Sequence, residues 1–217
     1  FNEKIRGIIT YSYGVKERAD TLAKTYSLNK IKFNKNDIFI DCGANYGDLY
    51  IWSLLHNLKL RYISFEPSPE EFNCIKLNCP EQTNNNIALS NKIGNFEFFI
   101  KSDTGDSSLI EPALGFKKKI KIETITLEKY VLDNNLENIK FLKLEAEGFE
   151  PEVLMGSKNI LNRIKYIGVD GGPERGKNME TTIEFASNFL LSNNFSIVSE
   201  KKTNLYIKSL FINKNFE

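Results

Sequence analysis

The stretch "DIFIDCGANYGDLY" occupies residues 37–50 and indicates the fold class. Its first six residues form a short apolar run, which predicts a buried β-strand over 37–42. Gly43 and Gly47 then mark a turn, and the apolar spacing of the residues that follow predicts a helix over 47–58. A buried strand that leads through a short turn into a helix is the first half of a βαβ unit and indicates a parallel sheet.

The same alternation of strand and helix patterns continues along the chain. Further strands are predicted over 61–66, 85–90, 95–100, 119–125, 139–148, 164–172, 195–200 and 204–212. Further helices are predicted over 1–30, 68–79, 127–133, 150–161 and 180–193. We therefore expect an α/β fold with a mostly parallel sheet, a C-terminal antiparallel strand pair and helices on both faces. One domain is expected over 1–217, with 1–30 as an N-terminal helical appendage.

Composition and charge argue against several classes of function. The net charge of +1 gives no basic footprint for nucleic acid, and the basic run at 117–121 has the alternation of an exposed strand face. The three cysteines, Cys42, Cys74 and Cys79, lack metal-ligand spacing, and the single histidine, His56, is expected to pack among leucines. We predict no metal site. No apolar run is long enough to cross a membrane, and we expect a cytoplasmic protein.

Four predicted strands carry a carboxylate at or near the carboxyl end, and this pattern indicates where a site lies. The residues are Asp41, Glu66, Glu145 and Asp170. Because the carboxyl ends of parallel strands meet at one edge of a sheet, where ligands bind in such folds, we expect these four side chains to line one site.

The first turn is poorly suited to a phosphate. A dinucleotide-binding turn carries G-x-G-x-x-G, and here Asn45 stands at the second glycine position and Asp48 at the third. A carboxylate at a helix start also repels a phosphate that would bind there. The Walker pattern is absent as well.

The turn instead fits a cofactor that has a cationic group near Asp41 and a carboxylate that accepts backbone N–H groups. Glu66 is expected at an exposed strand end, where it accepts hydrogen bonds from a ribose diol, so that its loss weakens cofactor binding with little loss of stability. S-adenosylmethionine has an amino-acid end, a ribose and no phosphate. The predicted cofactor-binding residues are Asp41, Gly43, Ala44, Asn45, Gly47, Glu66 and Pro67. Glycines at 43 and 47 would let the backbone pass close to the cofactor.

Four segments together resemble the FkbM-type family of S-adenosylmethionine-dependent methyltransferases. They are "DIFIDCGANYGD", "FEPSPEEF", "IKFLKLEAEGFEPEVLMG" and "YIGVD", which fall between about residues 36 and 172, and "GGPERG" extends the match. The resemblance implies a Rossmann-like methyltransferase fold and methyl transfer to a hydroxyl oxygen of a glycan or natural product. Family members commonly have aspartate where this chain has Glu145.

The acceptor side is predicted from the later strand ends. Glu145 is the candidate base or orienting group for the acceptor hydroxyl, and its alternatives are capping the next helix or pairing with Lys143. Asp170 is predicted to help orient that hydroxyl. Glu147 and Arg175 are predicted to bind the acceptor, although Glu147 can instead hold its turn and Arg175 can pair with a neighbouring acid and order its loop.

Three functions remain open from the sequence. The favoured one is an O-methyltransferase acting on a small-molecule or glycan acceptor. A dinucleotide oxidoreductase is disfavoured by Asn45 and Asp48. A non-catalytic ligand-binding or scaffold protein on the same fold is the third, and the glutamate at 145 is the best argument for it.

Overall fold

The computed structural model describes residues 4–101, 107–203 and 206–216. Its central sheet has seven strands in the order β3-β2-β1-β7-β8-β12-β11. These strands are β1 (Ile38–Cys42), β2 (Arg61–Phe65), β3 (Thr83–Asn85), β7 (Ile139–Leu144), β8 (Ile164–Asp170), β11 (Phe195–Lys202) and β12 (Ile207–Asn213). β12 is antiparallel to both of its neighbours, and the other pairings are parallel. The predicted α/β architecture with a C-terminal antiparallel pair is therefore confirmed.

Helices cover both faces of this sheet. They are α1 (Lys4–Thr10), α2 (Val15–Thr25), α3 (Asp48–Leu55), α4 (Pro69–Asn78), α5 (Leu127–Asp133), α6 (Glu150–Met155) and α7 (Ile183–Ser192). The predicted helix over 150–161 ends early, and a short 3₁₀ helix over 158–163 follows it. No helix within the described ranges is long and apolar enough to span a bilayer.

The central strand β1 is buried along its whole length. Its side chains alternate between the two faces, as strand geometry requires. Ile40 packs in the core cluster that contains Val153 of α6 and Leu190 of α7. Phe39 packs in the cluster on the other side, which contains Leu49 of α3. Burial on both faces explains why this strand is a continuous apolar run that ends only at Asp41.

Helix α2 packs in the core of the protein. Ala19, Ala23 and Tyr26 are buried in the same core cluster as Leu49, because α2 packs against α3. The first three residues of the predicted 1–30 helical segment lie outside the described residues, as do the first two of the predicted 204–212 strand.

The predicted strand over 85–90 is divided between two sheets. Its first part belongs to β3, whereas β4 (Ala88–Leu89) pairs with β6 (Lys118–Ile125) in a small sheet that also contains β5 (Gly94–Ile100). Asn86 lies at the break, and its side-chain amide donates to the carbonyl oxygens of Glu66 and Pro67. Two further short strands, β9 (Pro173–Arg175) and β10 (Glu180–Thr181), form a separate pair.

Two surface features test smaller predictions. Lys119 and Lys121 are exposed on β6 while Ile122 is buried, so the basic run is the exposed face of a strand, as predicted. The prediction for His56 is wrong: the residue is exposed, and its Nε2 lies 2.6 Å from Oδ1 of Asp20. It follows α3 at the surface, where the helix ends.

Candidate active site

A cavity of about 330 Å³ opens at the carboxyl ends of β1, β2 and β7. Its wall combines the β1–α3 turn, the end of β2, strand β4, the β7–α6 turn and one side of α2. Eight of the predicted site residues line this cavity. Those predicted to bind the cofactor are Asp41, Gly43, Ala44, Asn45, Glu66 and Pro67, and those predicted to act on the acceptor are Glu145 and Glu147. Gly47, Asp170 and Arg175 are not among the residues that line it.

The β1–α3 turn is held by hydrogen bonds within the protein. The N–H groups of Gly43 and Ala44 both donate to the carbonyl oxygen of Phe65, at 3.0 and 3.2 Å, and the Gly47 N–H donates to Ala44 at 2.9 Å. The Asn45 N–H donates to the Glu66 carboxylate at 2.8 Å. These four N–H groups thus have partners within the protein, and their use by a cofactor carboxylate stays a prediction.

The two glycines of the turn are needed for protein packing. Gly43 has a φ of 73° and Gly47 a φ of 83°, which side chains rarely adopt. A Cβ on Gly43 would overlap the carbonyl oxygen of Glu145, and one on Gly47 would lie 2.6 Å from Cys79 Sγ. Each glycine thus allows the close approach of another part of the protein, Glu145 directly after β7 and Cys79 directly after α4. Asn45 also has a left-handed φ, at 52°.

Glu66 is buried, so its predicted exposed position is wrong. Its carboxylate accepts the Asn45 N–H at 2.8 Å and the Ser68 N–H at 2.9 Å, which fixes the β1–α3 turn and the start of α4 together. Burial raises the pKa of Glu66 to about 7, against the lowering effect of these two backbone hydrogen bonds. The residue therefore titrates near neutral pH at the wall of the cavity.

Asp41 is paired with a cation of the protein. Lys143 lies opposite it in the β1–β7 register, and its Nζ is 3.1 Å from Asp41 Oδ1. The Tyr62 hydroxyl also donates to this carboxylate. Burial alone would lower the pKa of Lys143, but Asp41 and Glu145 raise it above its ordinary value. Asp41 thus has a cationic partner within the protein, and the predicted cationic group of the cofactor beside it stays a prediction.

Glu145 is held by three side chains. Its Oε2 lies 2.9 Å from Lys143 Nζ and accepts the Tyr26 hydroxyl at 2.7 Å, and its Oε1 lies 3.5 Å from Lys208 Nζ. Burial would raise the pKa of Glu145, but Lys143 and Lys208 hold it well below its usual range. The alternative of pairing with Lys143 is therefore correct. A quarter of the Glu145 side chain remains exposed, and it faces the cavity.

Asp170 joins the same charged cluster from β8. Lys208 stands opposite it in the β8–β12 register and pairs with Asp170 Oδ2 at 2.8 Å. Burial raises the pKa of Asp170, and the nearby Glu145 raises it further. Lys208 thus joins the two predicted acceptor-orienting carboxylates, although only Glu145 reaches the cavity wall.

The loop after β8 holds Arg175 away from the cavity. Its terminal nitrogens contact the Glu152 carboxylate at 2.9 and 2.7 Å, and one of them also donates to the carbonyl oxygen of Gly148. This is the predicted alternative, in which Arg175 pairs with a neighbouring acid and orders its loop. Glu147 has a φ of 50° and lines the cavity. Its carbonyl oxygen accepts the Ser108 hydroxyl at 2.8 Å.

Several residues of this site were not predicted from the sequence. Lys208 interrupts an apolar strand, and a lysine in such a run is a signal for a buried charge partner. Tyr26 and Arg18 come from the N-terminal helices, where nothing in the sequence pattern distinguishes them. Leu109 and Phe98 reach the cavity from the segment around the small sheet, whose position depends on long-range pairing.

Comparison with known families identifies the fold and the family. The family described as the methyltransferase FkbM domain matches residues 41–197, well over half of the chain. The chain belongs to this family. The match begins at Asp41 and contains the turn, Glu66 and the β7–α6 segment, so the predicted family is confirmed.

One curated relative of this chain is the hexuronic acid methyltransferase AglP of Haloferax volcanii. It is 24% identical over 145 residues, which cover 63% of this chain. The matched part spans 56% of the length of AglP.

Solved structures show the same fold at low sequence identity. TrmK of M. capricolum, solved with S-adenosyl-homocysteine, is 15% identical with a TM-score of 0.51 and covers 91% of this chain and 68% of its own. The ribosomal protein L11 methylase of Lactobacillus delbrueckii subsp. bulgaricus is 10% identical with a TM-score of 0.52, over 92% of this chain and 78% of its own. The predicted Rossmann-like methyltransferase fold is confirmed.

Proposed function

We propose that this protein is an S-adenosylmethionine-dependent methyltransferase that transfers a methyl group to a hydroxyl of a sugar, glycan or natural product. The observation that carries the proposal is the wall of the cavity at β1 and β2. There the buried carboxylate of Glu66 stands beside a turn whose N–H groups are bonded within the protein. Such a wall offers acceptors to a ribose and few donors to a phosphate.

The charge of the cavity wall supports a cationic ligand. Its acidic residues are Asp41, Asp48, Glu66, Glu71, Glu145 and Glu147. Against these six, the basic residues that line the cavity within the described ranges are Arg18 and Lys143. A ligand with a sulfonium and an ammonium group is attracted by such a wall, whereas the pyrophosphate of a dinucleotide is repelled. The dinucleotide oxidoreductase is therefore disfavoured on electrostatic grounds.

The remaining lining residues also fit S-adenosylmethionine. Phe65, Pro67, Ile87 and Leu89 give an apolar wall next to Glu66, which suits an adenine ring beside the ribose. Asn45 Oδ1 is shielded from solvent and has no hydrogen-bond partner within the described part of the chain. A buried acceptor without a partner is costly, so a ligand donor at this position would be favourable.

Glu145 is suited to orienting the acceptor hydroxyl. Its Oε2 is engaged by Lys143 and Tyr26, whereas the longer contact to Lys208 is the only one that Oε1 makes within the described residues. Oε1 can therefore accept a hydrogen bond from the acceptor hydroxyl. S-adenosylmethionine, when bound, supplies an electrophilic methyl group for an in-line displacement. The low pKa of Glu145 supports orientation and alignment over strong general-base catalysis.

The similarity to AglP supports a sugar acid as the acceptor class to test first. The experiment is a methyl-transfer assay with labelled S-adenosylmethionine on a panel of uronic acids, neutral sugars and natural-product alcohols. We expect transfer to at least one sugar hydroxyl and its loss in Glu145→Gln. Transfer to a nitrogen, or to the carboxylate of a uronic acid, would contradict the hydroxyl as acceptor.

A second candidate is a non-catalytic protein that binds the same ligand. The observation that favours it is the triple engagement of Glu145 by Lys143, Tyr26 and Lys208, which leaves little basicity for proton removal. The same assay separates the two candidates. Binding of the cofactor without transfer to any acceptor of the panel would favour the non-catalytic protein.

A further inference from the structure

Arg18 is a cation on the cavity wall, and it has no role in the methyl transfer proposed above. It lies on α2, and its Nε donates to Asp48 Oδ2 at 3.0 Å at the start of α3. About a third of its side chain is exposed, and it lines the cavity together with Thr10 and Leu22. Helix α2 thus brings a guanidinium to the cavity beside the β1–α3 turn.

The terminal nitrogens of Arg18 are available to a ligand. Within the part of the chain that the structure describes, the Nε–Asp48 contact is the only hydrogen bond or ion pair of the Arg18 side chain. The other cation of the cavity wall, Lys143, is already surrounded by Asp41, Glu145 and the carbonyl oxygen of Gly43. A ligand carboxylate would therefore pair with Arg18, whose planar guanidinium can donate two parallel hydrogen bonds to a carboxylate.

The β1–α3 turn strengthens this assignment. A zwitterionic amino-acid group in the cavity needs donors for its carboxylate, and the N–H groups of Gly43, Ala44 and Asn45 are bonded within the protein. The contact with Asp48 holds Arg18 at this turn, where it lines the cavity. The apolar part of the wall lies on β2 and around β4. We therefore expect the amino-acid end of the cofactor to lie on the α2 side of the cavity.

We propose that Arg18 binds the carboxylate of the amino-acid moiety of S-adenosylmethionine, so that α2 is part of the cofactor site. This inference rests on the proposed function, since it assigns one contact of the same cofactor. The competing role is structural: Arg18 and the Tyr11 hydroxyl, which donates to Asp48 at 2.6 Å, would only tie the N-terminal helices to α3.

The test is calorimetric titration of the full chain with two ligands, S-adenosylhomocysteine and 5′-methylthioadenosine. The second keeps the adenosine and the sulfur but lacks the amino-acid carboxylate. In Arg18→Gln we expect the dissociation constant for S-adenosylhomocysteine to rise roughly 10- to 100-fold, the range for a charged hydrogen-bonded contact, with that for 5′-methylthioadenosine unchanged. Arg18→Lys should recover part of the loss.

Arg61→Gln is the matched control, because Arg61 is exposed at the amino end of β2, the opposite end from Glu66. It should bind both ligands as the wild type does. Equal losses for both ligands in Arg18→Gln, or no loss for either, would overturn the assignment. If the folded wild type binds neither ligand, the proposed function is wrong and the assignment of Arg18 is wrong with it. If the wild type binds both ligands and only the expected effect of Arg18→Gln is missing, the assignment alone is wrong.

Discussion

Glu66 should make cofactor affinity depend on pH near neutrality. Its pKa is raised to about 7 by burial, and only the ionised form offers a full negative charge to two ribose hydroxyls. With a pKa near 7, about one tenth of the groups are ionised at pH 6 and about nine tenths at pH 8. We therefore expect the affinity for S-adenosylhomocysteine to rise about tenfold between these two pH values.

The Glu66→Gln variant isolates this effect. It keeps the size of the side chain but cannot ionise, so its affinity should be independent of pH between 6 and 8. At pH 8 it should bind about 1.5–3 kcal/mol more weakly than the wild type, the range for a hydrogen bond to a charged group. Isothermal titration calorimetry at pH 6, 7 and 8 measures both quantities.

The same carboxylate makes stability depend on pH in the opposite direction. Because the folded pKa of Glu66 is raised, its contribution to stability is present below pH 4.5 and is lost as pH rises towards 7. A shift from 4.5 to about 7 corresponds to a loss of about 3 kcal/mol in the free energy of unfolding. The carboxylate also holds two backbone N–H groups, so Glu66→Ala should cost about 2 kcal/mol or more at low pH, contrary to the sequence-based expectation of little change.

Glu150→Gln is the matched control for these measurements. Glu150 is buried, burial raises its pKa to about 7, and it does not line the cavity. It accepts the Thr182 hydroxyl at 2.7 Å and the Ala146 N–H at 2.7 Å. This variant should reduce the pH dependence of stability by the part that Glu150 contributes, but keep the pH dependence of cofactor affinity. A Glu66→Gln variant that binds with the wild-type affinity and the wild-type pH dependence would refute the reasoning.

Three further variants are predicted to separate the roles in the site. Glu145→Gln should lower methyl transfer at least tenfold, with S-adenosylhomocysteine affinity near that of the wild type, and unchanged transfer would remove Glu145 from the acceptor site. Asp170→Asn should lower transfer less, because Asp170 acts on Glu145 through Lys208, and single-turnover rates at saturating cofactor measure the order of the two effects. Arg175→Ala should cost about 1–3 kcal/mol of stability by leaving Glu152 unpaired, as measured by urea unfolding, with little change in acceptor KM. A raised KM without a loss of stability would restore Arg175 as an acceptor-binding residue.

Much of the fold follows from local sequence patterns. The buried strands are continuous apolar runs because both faces of the sheet are covered, and their ends at Asp41 and Asp170 mark the edge where polar groups begin. The division of the 85–90 segment was not predictable, because β4 has only two residues and is defined by its partner β6. A strand of that length carries no period of its own.

The charged cluster of the site depends on strand register, which sequence patterns do not give. Asp41 meets Lys143 because β1 and β7 are paired at these residues, and Asp170 meets Lys208 through the antiparallel β8–β12 pair. Similarly, Arg18 reaches the cavity only because α2 packs on α3. The strand-end carboxylates were therefore predictable, whereas their cationic partners and the burial of their surroundings were not.

The most direct test of the central claim is a calorimetric titration of the wild-type protein at pH 8 with S-adenosylhomocysteine and, separately, with NAD. Glu66 and the acidic wall of the cavity should favour the ligand with an ammonium group and no phosphate, so we expect one-to-one binding of S-adenosylhomocysteine and none of NAD. Binding of NAD in preference to S-adenosylhomocysteine, or of neither ligand by the folded protein, would contradict the account.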